Sequence, residues 1–331
     1  MADLPALPEG LTARPLTPDD VAPVAAVLAA SELVDDTGEY PDAADLAEWW
    51  SSWGVDHERD GLAVCDPSGL LVGFAYAGSS PTFRDWFPVY LVGRMRPDHR
   101  GKGAGRVLLD WQLQRGAELH AERHPEAPAR LTVSVPTTMP SLEALVRRAG
   151  LTAERWYRQM VRPLLEIPPT PAVPGVELVP FSWDRDDEVR RAHNAAFTEH
   201  HGSSERDPES WQTLFTGQRA FRPDLSVLAV ADGAVVGYVL AYVFEADAAA
   251  TGRRQSNFGQ IGVLPGARGR GLATAVIVEA LRVAAAAGCV EAGLDVDTDN
   301  VTGALRLYEK LGFTTARTTV TWTRELPVAD V

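Results

Sequence analysis

The chain repeats itself, and this constrains its fold more than any other feature. Residues 11–32 and 176–197 each read as a short strand, an Asp-rich helix start and an amphipathic helix. GLLVGFAYAG at 69–78 matches GAVVGYVLAY at 233–242, a turn followed by a strand. VGRMRPDHRGKGAGRVLLDWQL at 92–113 matches IGVLPGARGRGLATAVIVEAL at 261–281. LTVSVPTTMPSLEALVRRAGL at 131–151 matches LDVDTDNVTGALRLYEKLGF at 294–313. The blocks are collinear, and the last three pairs are displaced by 162 to 168 residues. One α/β (α+β) domain present twice explains this, and 331 residues suit two domains. The expected division is 1–163 and 176–331, with the Pro-rich stretch 164–175 as an extended, semi-rigid linker.

Each copy reads as a strand, helices, a strand hairpin, a strand ending in a Gly-rich turn, a long helix, a strand, a helix and a final strand. Ser226–Val230 and Val235–Val243 are expected strands. Leu272, Val276, Val278, Leu281 and Val283 recur at near-helical spacing. Segments 32–60 and 198–223 read as irregular insertions where a substrate wall could sit.

Charge excludes several functions. With 31 basic and 45 acidic residues the net charge is −14. Nucleic acid and anionic lipid are therefore not expected as partners. Cys65 and Cys289 cannot make a disulfide framework, and no Cys/His spacing suits zinc. The opening MADLPALPEG lacks the basic and apolar regions of a signal peptide. The most apolar stretch, Leu272–Val290, is interrupted by Glu279 and Arg282 and reads as a helix, not a span. A cytoplasmic location, with the chain a monomer or homodimer, is expected.

The two Gly-rich turns carry chemistry. Val263–Ala273 is a strand end, a turn and a helix start. Gly269, Gly271 and Ala273 leave room for a ligand at the backbone, and the amides of the following helix, from Leu272 on, favour an anion. Arg268 and Arg270 add positive charge. Arg100, Gly101, Lys102, Gly103, Ala104 and Gly105 form the same device in the first copy, after Met95. Both read as phosphate cradles. Neither opens its domain, and neither a full G-x-G-x-x-G nor a P-loop pattern is present.

The pattern Val263, Pro265, Arg268, Gly271, Ala273 resembles the acetyl-CoA loop of the GNAT (GCN5-related) N-acetyltransferase superfamily. The stretch from Asn300 through Ala304–Phe313 resembles that family's second motif. The first copy keeps Pro97, Arg100, Gly103 and Gly105, with Met95 where Val is usual. The chain thus resembles a tandem GNAT protein, each domain a mixed, mostly antiparallel twisted sheet flanked by helices. The resemblance implies that acetyl-CoA is the cofactor. It assigns Ile261, Val263, Arg268–Ala273 and Asn300, and their first-copy counterparts, to its binding. It also implies a bulge in the strand around Gly259–Val263.

Acyl transfer from a thioester to an amine needs a base, oxyanion donors and an acid for the leaving thiolate. Tyr308 aligns with the tyrosine that serves as acid in similar enzymes. Leu294-Asp295-Val296-Asp297 alternates, so both carboxylates share one strand face. Asp295 is the candidate base and Asp297 a candidate contact for a cationic substrate. His200 and His201 are candidates for lining the cleft. A metal is not expected, because adjacent histidines rarely ligate together. Trp211 either walls the acceptor site or packs a helix. In the first copy Val146 takes the Tyr308 position, and Leu131–Val135 carries Thr132 and Ser134 but no acid. The second copy is therefore expected to be catalytic and the first degenerate.

The expected reaction is acetyl transfer to the primary amine of a small molecule by direct attack in a ternary complex. The chain is also similar to actinobacterial two-domain members of the mycothiol synthase type, which acetylate a cysteinyl amine on a glucosaminyl-inositol. It departs from them in having Asn257, with Gln260 nearby, where that type carries a glutamate base. An alternative of another class is a CoA-binding sensor without turnover.

Overall fold

The computed structural model describes residues 4–52, 55–80, 82–198, 202–299 and 303–328. The first copy contributes β1 (Thr12–Pro15), α1 (Val21–Asp35), α2 (Ala43–Ser52), α3 (His57–Asp60), β2 (Gly61–Cys65), β3 (Leu71–Ser79) and β4 (Phe87–Met95). It continues through α4 (Ala104–Arg123), β5 (Ala129–Pro136), α5 (Pro140–Arg148) and β6 (Thr152–Pro163). The second contributes β7 (Glu177–Pro180), α6 (Asp186–Ala196), α7 (Pro208–Trp211), β8 (Val227–Ala231), β9 (Ala234–Tyr242) and α8 (Glu245–Thr251). There follow β10 (Gln255–Val263), α9 (Leu272–Ala286), β11 (Glu291–Asp297), α10 (Ala304–Lys310) and β12 (Thr314–Leu326).

These elements form two α/β units, each with a mixed sheet flanked by helices. They gather into two compact units, Met1–Trp156 with Thr319–Val331, and Tyr157–Thr318. The first unit's sheet has the order β1-β2-β3-β4-β5-β12. The second has β7-β8-β9-β10-β11-β6. All neighbours are antiparallel except β4 with β5 and β10 with β11.

The units do not follow the collinear division expected at residues 163 and 176, because the last strand of each copy closes the other copy's sheet. Thr319–Leu326 pairs with Ala129–Pro136 in the first unit, and Tyr157–Pro163 pairs with Glu291–Asp297 in the second. The exchanged strands carry core side chains with them. Trp322 packs with Leu131, Val133 and Val146, and Met160 is fully buried with Leu294 and Val296. Burying a side chain of this size stabilises by about 1.5–3 kcal/mol. The stretch 164–175 is also more than a spacer. Leu164 and Ile167 pack on the second unit's core, Val173 packs beside Leu272, and the Thr170 hydroxyl donates to Glu279 (2.6 Å).

Side-chain alternation places one helix layer on each sheet face. In β9, Val239 and Ala241 face α9, whereas Tyr238, Leu240 and Tyr242 face α6. In β3, Ala77 packs with α4 and Phe74 with α1. Of the two insertions expected to be irregular, 32–60 is largely helical, whereas the described part of 198–223 carries one short helix and a wide turn in otherwise irregular chain. Segment 32–60 holds the end of α1 with α2 and α3, and α7 continues into a wide turn over Gln212–Thr216. Both cysteines are buried and free.

A fragment ending at residue 163 lacks the strand that covers β5. It is expected to show no cooperative thermal transition by circular dichroism, whereas the full chain does. A sharp transition in the fragment would show that the exchange is dispensable.

Candidate active site

The site begins where two strands part. β10 and β11 pair in parallel only at Gln255↔Glu291, Ser256↔Ala292 and Asn257↔Gly293, although both strands continue. On its other side β10 stays paired with β9, with a register shift between Phe258 and Gln260. Gly259 is the extra residue of this bulge, at the start of the stretch where one was expected. The Tyr242 ring crosses it so closely that a side chain there would meet the ring at 2.7 Å. Beyond the bulge, the split side of β10 has no strand partner in β11, so its polar backbone groups face an opening.

The Gly-rich turn follows. Gly269 (φ 78°) and Gly271 (φ 80°) are left-handed, and a side chain at either would enter open space. Gly271 caps α9, whose first amides have no helical acceptor. Such a concave, amide-lined turn fits a diphosphate. The arginines have a different immediate task. Arg268 donates to the Val263 carbonyl (3.3 Å) and to the Ala196 carbonyl at the end of α6 (3.0 Å). Arg270 donates to the Pro174 carbonyl (3.0 Å). They brace the turn as well as charge it. Ile261 and Val263 face hydrophobic neighbours, and Leu272 is buried. Ala273 lies in the first turn of α9.

Tyr308 lies in α10, packed with Leu294, Val296 and Phe313. Its carbonyl accepts the Phe313 amide (3.0 Å) in the turn made by left-handed Gly312, which fixes its place. Its hydroxyl makes no hydrogen bond among the described residues. Burial pushes its pKa up to about 12, so the phenol keeps its proton at neutral pH. Asp295 and Asp297 lie on the opposite face of β11 from this core. Only Asp295 is exposed, whereas Asp297 is buried and accepts the Asp299 amide (2.9 Å) at the strand's end. Tyr308 and the two carboxylates thus stand on opposite sides of the sheet, beside the gap between β10 and β11. Asn257 is the last paired residue before the strands part, and its amide oxygen lies over Gly293. His200, His201 and Asn300 lie outside the described residues. Trp211 is core: it is buried and donates to Asp186 (2.8 Å). Among the described residues no three His, Cys, Asp or Glu side chains group as a metal site.

The first unit keeps the frame. β4 and β5 pair only from Phe87↔Ala129 to Tyr90↔Thr132 before parting. Gly101 (φ 77°) and Gly103 (φ 95°) form the turn, Ala104 starts α4, and Gly105 follows in its first turn. Arg100 bonds the Met95 carbonyl (2.8 Å) and both oxygens of Asp35 at the end of α1 (2.6 and 2.7 Å). Lys102 donates to the Asp98 carbonyl (3.2 Å). Two things differ. The β3–β4 ladder runs from Val89 to Met95 without a bulge. Val146 occupies the Tyr308 place, its carbonyl accepting the Leu151 amide (3.1 Å) beside left-handed Gly150. The split is filled by a cavity of about 1010 Å³. Its polar lining includes Glu39, Tyr76 and Arg94. Tyr76 and Arg94 lie within the repeated blocks but outside the Gly-rich turn, and Glu39 lies outside the blocks, so sequence reasoning passed over all three.

Comparison with known proteins agrees with this geometry. The model of the acetyltransferase (GNAT) family matches residues 187–313. A mycothiol acetyltransferase of Frankia alni is 33% identical over 92% of this chain and 91% of its own. The chain belongs to the GNAT family. A GCN5-related N-acetyltransferase of Sphaerobacter thermophilus superposes with a TM-score of 0.77 at 26% identity, covering 98% of this chain and 99% of its own. A tandem GNAT protein of the clavulanic acid biosynthesis pathway shares the fold, with a TM-score of 0.69 at 18% identity over 97% and 100% of the chains. The protein is an N-acetyltransferase that uses acetyl-CoA. Among the described residues no helix is long and apolar enough to cross a membrane.

Because Asp35 is buried, Arg100→Met is expected to cost about 3 kcal/mol of stability in chemical denaturation, by leaving a carboxylate unpaired. Arg268→Met, which frees the Val263 and Ala196 carbonyls, is expected to cost about 1 kcal/mol. Equal losses would show that the Asp35 pairing contributes nothing special.

Proposed function

We propose that the second unit transfers an acetyl group to the primary amine of a small molecule by direct attack in a ternary complex, with Tyr308 as general acid. The observation that supports this most is the joint presence there of the bulge at Gly259 and the protonated, unpartnered phenol of Tyr308. The first unit keeps its turn but has neither.

Bound acetyl-CoA supplies an acetyl thioester whose sulfur leaves as a thiol. The amides of Gly269–Ala273 hold its diphosphate, with Ile261 and Val263 along the strand leading there. In this reading Asn300 completes the cofactor's binding. The bulged strand turns amide donors toward the oxygen on which charge develops. Asp295, exposed on the other face of β11, takes a proton from the attacking ammonium, and Tyr308 Oη gives its proton to the departing sulfur. As the C–N bond forms and the C–S bond breaks, the nitrogen sheds a second proton that restores the Tyr308 phenol, so the products are the amide, the free thiol and one proton held by Asp295. Asp297 and Asn257 stand on the acceptor side and favour a cation, a role the sequence also suggests for His200 and His201.

A second reading narrows the acceptor to a cysteinyl amine of the mycothiol type. It is favoured by near full-length similarity to the Frankia mycothiol acetyltransferase. Asn257, which cannot serve as a carboxylate base, leaves that task to Asp295 in either reading.

Thiol release from acetyl-CoA, followed over a panel of amines that includes the glucosaminyl-inositol cysteine, tests both readings. Turnover of that compound alone selects the second. No thiol release with any amine of the panel, despite measurable CoA binding, would favour a sensor. Tyr308→Phe is expected to lower kcat about 100-fold or more with little change in KM. Because the phenol titrates near pH 12, wild-type kcat should not fall between about pH 7 and about pH 10 through loss of this proton. A Tyr308→Phe enzyme with full activity would remove the tyrosine from the mechanism.

A further inference from the structure

The first unit lacks the proton-transfer groups, yet its cavity is large enough for a small ligand and carries charge of both signs. The cavity crosses the split between β4 and β5. At one end it meets Gly101 and Gly103. On the α1 face of the sheet it meets Thr37, Glu39, Tyr76 and Arg94.

This second end is built. Glu32, buried at the end of α1, accepts hydrogen bonds from the amides of Thr37 (2.9 Å) and Gly38 (2.7 Å). These bonds, with left-handed Asp36 and Gly38, hold the loop that brings Glu39 to the cavity. The Glu39 carboxyl is solvent-accessible from the cavity, but the surrounding protein still raises its pKa. The Arg94 charge opposes this rise and Glu32 adds to it. Arg94 donates to its neighbour's carbonyl at Gly93 (3.0 Å). Among the described residues no ion pair joins Glu39 to Arg94, and neither Glu39 nor the Tyr76 hydroxyl has a hydrogen-bond partner.

We propose that this cavity is a second ligand site, taking a small zwitterion whose ammonium meets Glu39 and whose carboxylate meets Arg94. Phe74, Val92 and Met95 line the apolar wall between, which suits a short aliphatic body. The Tyr76 hydroxyl adds a polar contact. The ligand class is the amino acids, α to γ, distinct from the acetyl acceptor of the second unit.

Calorimetric titration of the full chain with L-alanine, β-alanine and γ-aminobutyrate tests this, with n-butylamine and butyrate as singly charged controls. At least one zwitterion is expected to bind, each control about tenfold more weakly or worse. Glu39→Gln and Arg94→Gln should each weaken binding about tenfold or more, Arg94→Lys should restore most of it, and Asp295→Asn in the second unit should leave it unchanged. The thermal transition of each variant confirms that it is folded. No binding by any of the three zwitterions overturns the proposal. So does a control that binds as tightly as the zwitterions, or binding unaffected by folded Glu39→Gln and Arg94→Gln.

Discussion

The whole arrangement depends on two parallel strands that pair briefly and then part. Parallel ladders are normally covered and continuous, because each unpaired backbone group away from water is costly. Here the ladder stops after three residue pairs in the second unit and four in the first. The open edges are left for something other than these two strands. The bulge, the Gly-rich turn and the placement of Tyr308 and Asp295 on opposite faces of β11 all border that gap. A continuous ladder would bury the edges and leave no route between the faces of the sheet.

Two copies of one frame have therefore diverged by changing few groups. A tyrosine against a valine at the same helix cap, and a bulge against a regular ladder, separate the units chemically while the scaffold is kept. What the first copy lost in proton transfer it did not lose in space. Its split still opens a cavity, and the charges around it come from the loop after α1 and from β4, where Glu39 and Arg94 lie.

Much of this was legible in the chain. The repeat announced two like domains, and the Gly-rich turns marked both cradles because left-handed backbone at Gly269, Gly271, Gly101 and Gly103 needs glycine. Strand alternation put Asp295 and Asp297 on one face, as observed. Three things were hidden. The exchange of final strands leaves no local trace, since β6 and β12 read alike whichever sheet they close. The arginines of the turns read as charges for an anion, but their partners, Asp35 and the Ala196 carbonyl, are distant in sequence. Glu39 and Arg94 share no motif, and only folding brings a loop after α1 to the edge of β4. Trp211 could face either way on sequence grounds; Asp186 and the packed ring of Phe215 settle it in the core.

The exchanged strands also bear on how the protein is made. A ribosome delivers the first unit's helices and five of its strands early, but Thr319–Leu326 emerges last. At about 5–20 residues per second, the roughly 160 residues in between take on the order of ten to thirty seconds. Throughout that time β5 presents an uncovered edge, the kind of surface on which nascent chains associate with the wrong neighbour. The second unit has no such wait, for its borrowed strand is already synthesised when β11 appears. The half expected to carry the chemistry is thus the one whose closing piece is ready first.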